Sequence, residues 1–177
     1  MHHEKMAETE FVVDKEKLEV RMSRVFDVPR EKVWRAHVDP KKLEQWWGPR
    51  KYTTIVEKWD ARVGGKWKFI NKDADETHVF YGEFREIKEP EKIVWTFTYE
   101  PYPDQELVET LTLEELPGGP PSHKAPEGQS KTRLSTVSRY PNLEALEGML
   151  MGGEMEKGAR ETWDRLEELL VKEKVTV

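Results

Sequence analysis

The sequence has no cysteine, which removes disulfides and thiolate chemistry from consideration and fits a reducing, cytoplasmic setting. No apolar run approaches the ~18 residues that a membrane span needs, and the polar start Met1-His2-His3-Glu4-Lys5 does not read as a signal peptide. Membrane insertion is therefore not expected. An excess of positive charge is missing too. The formal net charge is −6, and Lys and Arg alternate with Glu and Asp instead of gathering into the basic stripe that displaces counterions from a nucleic acid. That argues against a general nucleic-acid binder. His2 and His3 are adjacent near the start and His123 lies in a Gly/Pro/Ser-rich stretch, so no metal-ligand spacing exists. Ser-His-Asp spacing, a phosphate loop and a dinucleotide fingerprint are all lacking. No metal or cofactor is expected.

Apolar residues are scarce, at 36%, and charged residues equal them at 36%. A chain of 177 residues can bury about two-thirds of its unfolded surface, so its apolar groups must be concentrated in a few segments. Seven Trp and six Phe do this, since each buried aromatic removes roughly 150–250 Å² from water. All but Trp163 fall between Phe11 and Phe97.

The order of patterns implies a single α+β domain over residues 18–172, preceded by a charged tail, 1–17, in which Phe11-Val12-Val13 could add a short edge strand. Leu18 to Val28 alternates as a first strand. Pro29, with Asp27 upstream as a cap, opens a short helix carrying Val33, Trp34, His37 and Val38. Asp39-Pro40 ends it and starts a second, which closes at Gly48-Pro49. From Tyr52 the period becomes 2. Gly64-Gly65 and Glu89-Pro90-Glu91 read as turns between strands that place Trp67 and Phe69, then Phe80, then Trp95 and Phe97 on a common face. Leu111 with Leu113, and Leu134 with Thr136 and Ser138, mark two more. Short turns between sequential strands imply an antiparallel sheet of six to seven strands. Pro117 to Lys131 has no apolar period and reads as a long, mobile hairpin loop.

At about 100° per residue, Met155, Ala159, Trp163, Leu166 and Leu170 form one stripe. Leu143, Leu146 and Leu150 fall out of phase with it, the break coming at Gly152-Gly153. A short helix over 142–151, a hinge and a long helix from about 154 to 172 are predicted. The stripe can cover the aromatic sheet face, yet it offers only small groups at Gly152 and Ala159. A glycine within a helix costs about 1 kcal/mol relative to Ala, so Gly152 and Gly158 call for a reason. One reason is space for a ligand between helix and sheet. The other is close helix–sheet packing, or simple termination at Gly152-Gly153.

Several blocks carry a family resemblance. Arg24-Val25-Phe26-Asp27-Val28-Pro29-Arg30-Glu31-Lys32-Val33-Trp34-Arg35-Ala36 resembles the opening of the homologues of the activator of heat-shock-protein-ninety ATPase, small prokaryotic members of the START/polyketide-cyclase (SRPBCC, helix-grip) superfamily. Trp46-Trp47-Gly48-Pro49, Asp60-x-Arg62-x-Gly64-Gly65-x-Trp67 and Glu89-Pro90-Glu91-Lys92-Ile93-Val94 are similar to the next blocks, and Met155-Glu156-Lys157-Gly158 to the last. The resemblance implies a helix-grip fold, in which a curved antiparallel sheet wraps a long C-terminal helix after two short helices, and a deep cavity beneath that helix. Superfamily members often bind lipids, polyketides or other apolar molecules.

Strand phase and the resemblance together nominate cavity-lining residues. From the sheet these are Trp67, Phe69, Phe80, Trp95 and Phe97, joined by Leu111 and Leu134. From the helices they are Trp46, Met155, Ala159 and Trp163. Taken singly, each reads as ordinary core; only the set argues for a site. His37 and Glu109 are the two acid–base candidates. The first lies beside an apolar helix face, where a packed histidine is the plainer reading. The second shares a strand face with Leu111 and Leu113, where a strand-end position or pairing with Arg133 is the plainer reading. The functions rank as a non-enzymatic binder or carrier of a small hydrophobic or aromatic ligand, then a cyclase, aromatase or dehydratase, then a chaperone cofactor or protein-interaction module suggested by the family name alone.

Overall fold

The computed structural model describes residues 8–118 and 130–175. Strands β1 (Glu10–Asp14) and β2 (Glu19–Phe26) lead into helices α1 (Arg30–Val38) and α2 (Pro40–Trp46). A meander follows: β3 (Thr53–Trp59), β4 (Lys66–Lys72), β5 (Thr77–Lys88), β6 (Lys92–Tyr99), β7 (Leu107–Leu116) and β8 (Lys131–Arg139). Helix α3 (Leu143–Leu150), a 3₁₀ turn at Met151–Gly153 and helix α4 (Glu154–Val175) complete the order. The strands form one antiparallel sheet in the order β1-β2-β8-β7-β6-β5-β4-β3. It has eight strands, more than the six to seven that alternation implies, because the Phe11–Val13 run pairs along its length with β2, Phe11 opposite Met22.

Period-2 patterning decides which face is buried. In β4, Trp67, Phe69 and Asn71 are buried while Lys66 and Lys72 are exposed; in β8, Thr132, Leu134, Thr136 and Ser138 turn to the same concave side. Gly82 on β5 permits a close approach there: a Cβ at this position would lie 1.8 Å from the Thr96 carbonyl oxygen and 2.5 Å from the Trp67 ring. Trp67 therefore lies against the bare backbone of β5.

The two short helices close one end of this trough. α1 starts behind Pro29, which occupies the N-cap position without a side-chain cap bond, so the cap is not Asp27. Asp39 does cap α2, accepting from the Lys41 amide at 3.0 Å, with Pro40 as first helical residue. α4 then crosses the concave face. Its C-terminal half is fully seated: Leu166, Leu169 and Leu170 are buried, and Trp163 meets Phe26 edge-on at 6.4 Å. Arg165 fastens it to the end of α2 by donating to the carbonyls of Trp47, Gly48 and Gln45 at 3.2, 2.7 and 3.0 Å. α3 packs separately, burying Ala145 and Leu146 against Val20 and Tyr140. Gly152 and Gly153 join the two helices at φ of 63° and 95°, left-handed conformations that L side chains disfavour. The phase break in the sequence is this turn. The loop read over Pro117 to Lys131 falls largely on residues 119–129, outside the described residues.

Candidate functional site

Where α4 begins, it stands off the sheet. Gly158 and Ala159 face the trough with almost no side chain, and a cavity of about 340 Å³ opens beneath them. Tight packing is not the reason for Gly158, since a Cβ there would meet only the Pro49 ring at an ordinary 3.5 Å. Phe69, Phe80, Phe97 and Leu111 form the sheet wall, Met155, Ala159 and Trp163 the helix wall, and Trp47-Gly48-Pro49 the rim. Trp47 stacks on Phe97 with ring centroids 5.9 Å apart and planes 10° from parallel. A smaller hollow of about 70 Å³ shares Phe80 and Phe97 and extends toward Tyr99, Tyr140 and Met149.

Of the residues nominated from sequence, Phe69, Phe80, Phe97, Leu111, Met155, Ala159 and Trp163 line this cavity. The other four lie outside it. Trp46 is fully buried within the α1–α2 corner, donating its indole N–H to the Ala36 carbonyl at 2.9 Å. Trp67 and Trp95 pack with Trp59 at 6.5 and 6.2 Å in the filled end of the trough near Leu43. Leu134 pairs opposite Leu113 in the main core. Parity along a strand fixes the face, not the depth, and α2 fills the end where these side chains sit. Trp47, not Trp46, reaches the cavity because the helix stops between them: Trp47 has extended backbone, φ −69° and ψ 135°. Sequence reading missed Val20, Met22, Asn71, Thr136 and Ser138, all on the lining. Their shared parity with the neighbouring apolar strand positions was the available signal.

Both acid–base candidates line the cavity. His37 is 1% exposed. Its Nδ1 donates to the Val33 carbonyl at 2.8 Å, which fixes the proton on that nitrogen. Burial lowers its pKa to about 4, so the ring is neutral at pH 7. Glu109 owes its partners to register: it sits opposite Trp95 on β6 and Ser138 on β8. The Trp95 indole N–H donates to Oε1 at 3.0 Å and the Ser138 hydroxyl to Oε2 at 3.1 Å. Burial pushes the Glu109 carboxyl up, and these two hydrogen bonds partly oppose it. Arg133 is not its partner; that guanidinium pairs with Glu114 at 3.3 Å. The Tyr140 phenol is pushed well above its usual range by burial, with the Glu109 charge adding to the effect. Asn71 and Thr54 hydrogen-bond at 2.9 Å, and the Thr162 hydroxyl donates to the Gly158 carbonyl at 2.8 Å. No Lys or Arg is among the described residues of the lining.

A bent antiparallel sheet holding a terminal helix over an apolar cavity defines the helix-grip class. The chain belongs to the family of activator of Hsp90 ATPase homolog 1-like proteins, whose model matches residues 27–122. Solved structures agree. A protein from Rhodobacter sphaeroides is 19% identical, with 93% of this chain and 99% of that chain covered and a TM-score of 0.78. One from Mycobacterium smegmatis is 25% identical, covering 91% and 95%, with a TM-score of 0.74. The AHSA1 protein of Silicibacter pomeroyi is 22% identical, covering 88% and 99%, with a TM-score of 0.66. These likenesses establish the fold. Among curated proteins, nothing matches. Among the described residues, no helix is long and apolar enough to cross a membrane.

Proposed function

We propose that the protein binds a small hydrophobic or aromatic molecule in the cavity between sheet and α4. The observation that carries this reading is the unfilled space beneath Gly158 and Ala159, walled by Phe69, Phe80 and Phe97. Apolar enclosure with a few polar groups is the usual make-up of a small-molecule site. A cytoplasmic location, supported by the absence of cysteine, completes the reading. Thermal-shift screening with lipids and aromatic metabolites, followed by native mass spectrometry, is the test. A ligand that binds only the folded state raises Tm, increasingly as its concentration exceeds Kd, and Ala159→Phe, which fills the space, abolishes the shift while the protein stays folded. Absence of binding across the panel would end the proposal.

A second reading is acid–base catalysis of the cyclase, aromatase or dehydratase type, favoured by the presence of His37 and Glu109 on one lining. The free Nε2 of His37 would take a proton, and a protonated Glu109 would give one. Extraction of bound substrate after incubation separates the readings: a carrier returns it unchanged, an enzyme returns a product of altered mass, and His37→Phe stops that conversion.

A further inference from the structure

Several polar groups of the cavity already have partners, among them Asn71, whose Oδ1 accepts from the Thr54 hydroxyl at 2.9 Å. Both oxygens of Glu109 accept hydrogen bonds, from Trp95 and Ser138. The Thr162 hydroxyl is committed to the Gly158 carbonyl. Thr136 on β8 has a hydroxyl that can donate or accept, so it sets no preference. His37 differs. A carbonyl oxygen can only accept, so the bond to Val33 requires the proton to sit on Nδ1. Nε2 is then left as a pure acceptor, and among the described residues nothing donates to it. The ring that carries it is 99% buried, its exposure being 1%, and it lines the cavity. An apolar ligand that covered this acceptor would leave it unpaired at a cost of about 1–3 kcal/mol, and Val33, Trp34 and Ala36 beside it show that an apolar residue would suit this helix face.

The charges are equally one-sided. Glu109 and Glu154 are on the lining and no Lys or Arg joins them among the described residues. His37 itself stands in the last turn of α1, the end of a helix where the backbone dipole is negative. A carboxylate entering here would lose its hydration with no cation to replace it.

Resting on the binding proposal above, we infer that the cavity selects an uncharged aromatic alcohol or phenol whose hydroxyl donates to His37 Nε2, and that it rejects carboxylates of the same shape. The ring occupies the space between Phe97, Phe80 and Ala159, and the hydroxyl donates to the imidazole acceptor. A ligand of matching shape without a donor would bury the acceptor still unpaired.

Four probes of one skeleton test this by calorimetry at pH 7: naphthalene, methoxynaphthalene, naphthol and naphthoate. Naphthol is expected to bind about tenfold more tightly than methoxynaphthalene, the worth of one such hydrogen bond, with naphthoate the weakest of the four. In His37→Phe the naphthol advantage is expected to vanish while methoxynaphthalene still binds. Should that variant fail to fold by circular dichroism, His37→Met takes its place, and the wild-type ranking stands as evidence by itself. If the series binds without preference for the hydroxyl, if naphthoate binds best, or if the preference survives loss of the imidazole, the inference is overturned and the binding proposal remains. If none of the four binds, the inference falls, and the wider panel of lipids and aromatic metabolites decides the binding proposal.

Discussion

His37 shows what a single buried ring does to the pH response of the whole fold. In the unfolded chain it titrates at its ordinary 6.5, and in the folded chain at about 4. Between those values the unfolded state holds more protons, so stability is complete above pH 6.5 and declines as the pH falls toward 4. The loss is on the order of 3 kcal/mol. Urea unfolding at pH 7 and pH 4 should show His37→Phe losing that much less stability on acidification than the wild type. Glu109 acts in the opposite sense. Its folded carboxyl titrates above the usual 4.5, so its contribution is present below pH 4.5 and is lost as the pH rises through the raised value. Glu109→Gln is therefore expected to melt at a higher temperature than wild type at pH 7 and at the same temperature at pH 4. Strand parity put Glu109 on the face of Leu111 and Leu113, but the plainer reading of the sequence, a strand end or a bond to Arg133, missed its place on the cavity lining. Its partners were not legible, because they depend on the register that places Trp95 and Ser138 across from it.

At the scale of elements, the last two helices were the most legible part of the chain. The leucines of α3 and the stripe of α4 follow a 3.6 period, and the glycine pair marks where the phases part. Two glycines a few residues apart then make opposite predictions. Gly153 has φ of 95° and open space around it, so Gly153→Ala meets no neighbour and loses about 1–2 kcal/mol to backbone conformation alone. Gly158 is helical and has room for a methyl group, so Gly158→Ala should gain about 1 kcal/mol. Chemical denaturation of the two variants checks both signs. The adjacent Trp46 and Trp47 show where legibility ended. Composition cannot tell which of two neighbouring indoles stays in a helix and which leaves it; the C-terminal turn of α2, tied down by Arg165, decides that.

The whole molecule is held together across its ends by Arg24. This side chain, 3% exposed, points inward from β2. It donates to the Thr9 hydroxyl at 2.6 Å and to Asp164 on α4 at 2.7 Å, joining the start of the described chain to the sheet and the last helix. Arg24→Leu is expected to cost about 2 kcal/mol, the range of hydrogen bonds to charged groups, and to speed hydrogen exchange in β1. The general architecture could be read from alternation, turn residues and the terminal stripe; this tie could not, since nothing local links residues so far apart. The strand order has a temporal side as well. β2 pairs with β8, and Glu19 meets Arg139 across 120 positions. A ribosome releases β2 early, long before its neighbour exists, so the first hairpin must wait with a bare hydrogen-bonding edge. Topologies with such distant pairings fold in milliseconds to seconds rather than microseconds. The nascent chain is thus most open to wrong pairing before β8 emerges, the interval in which a holding partner would help it most.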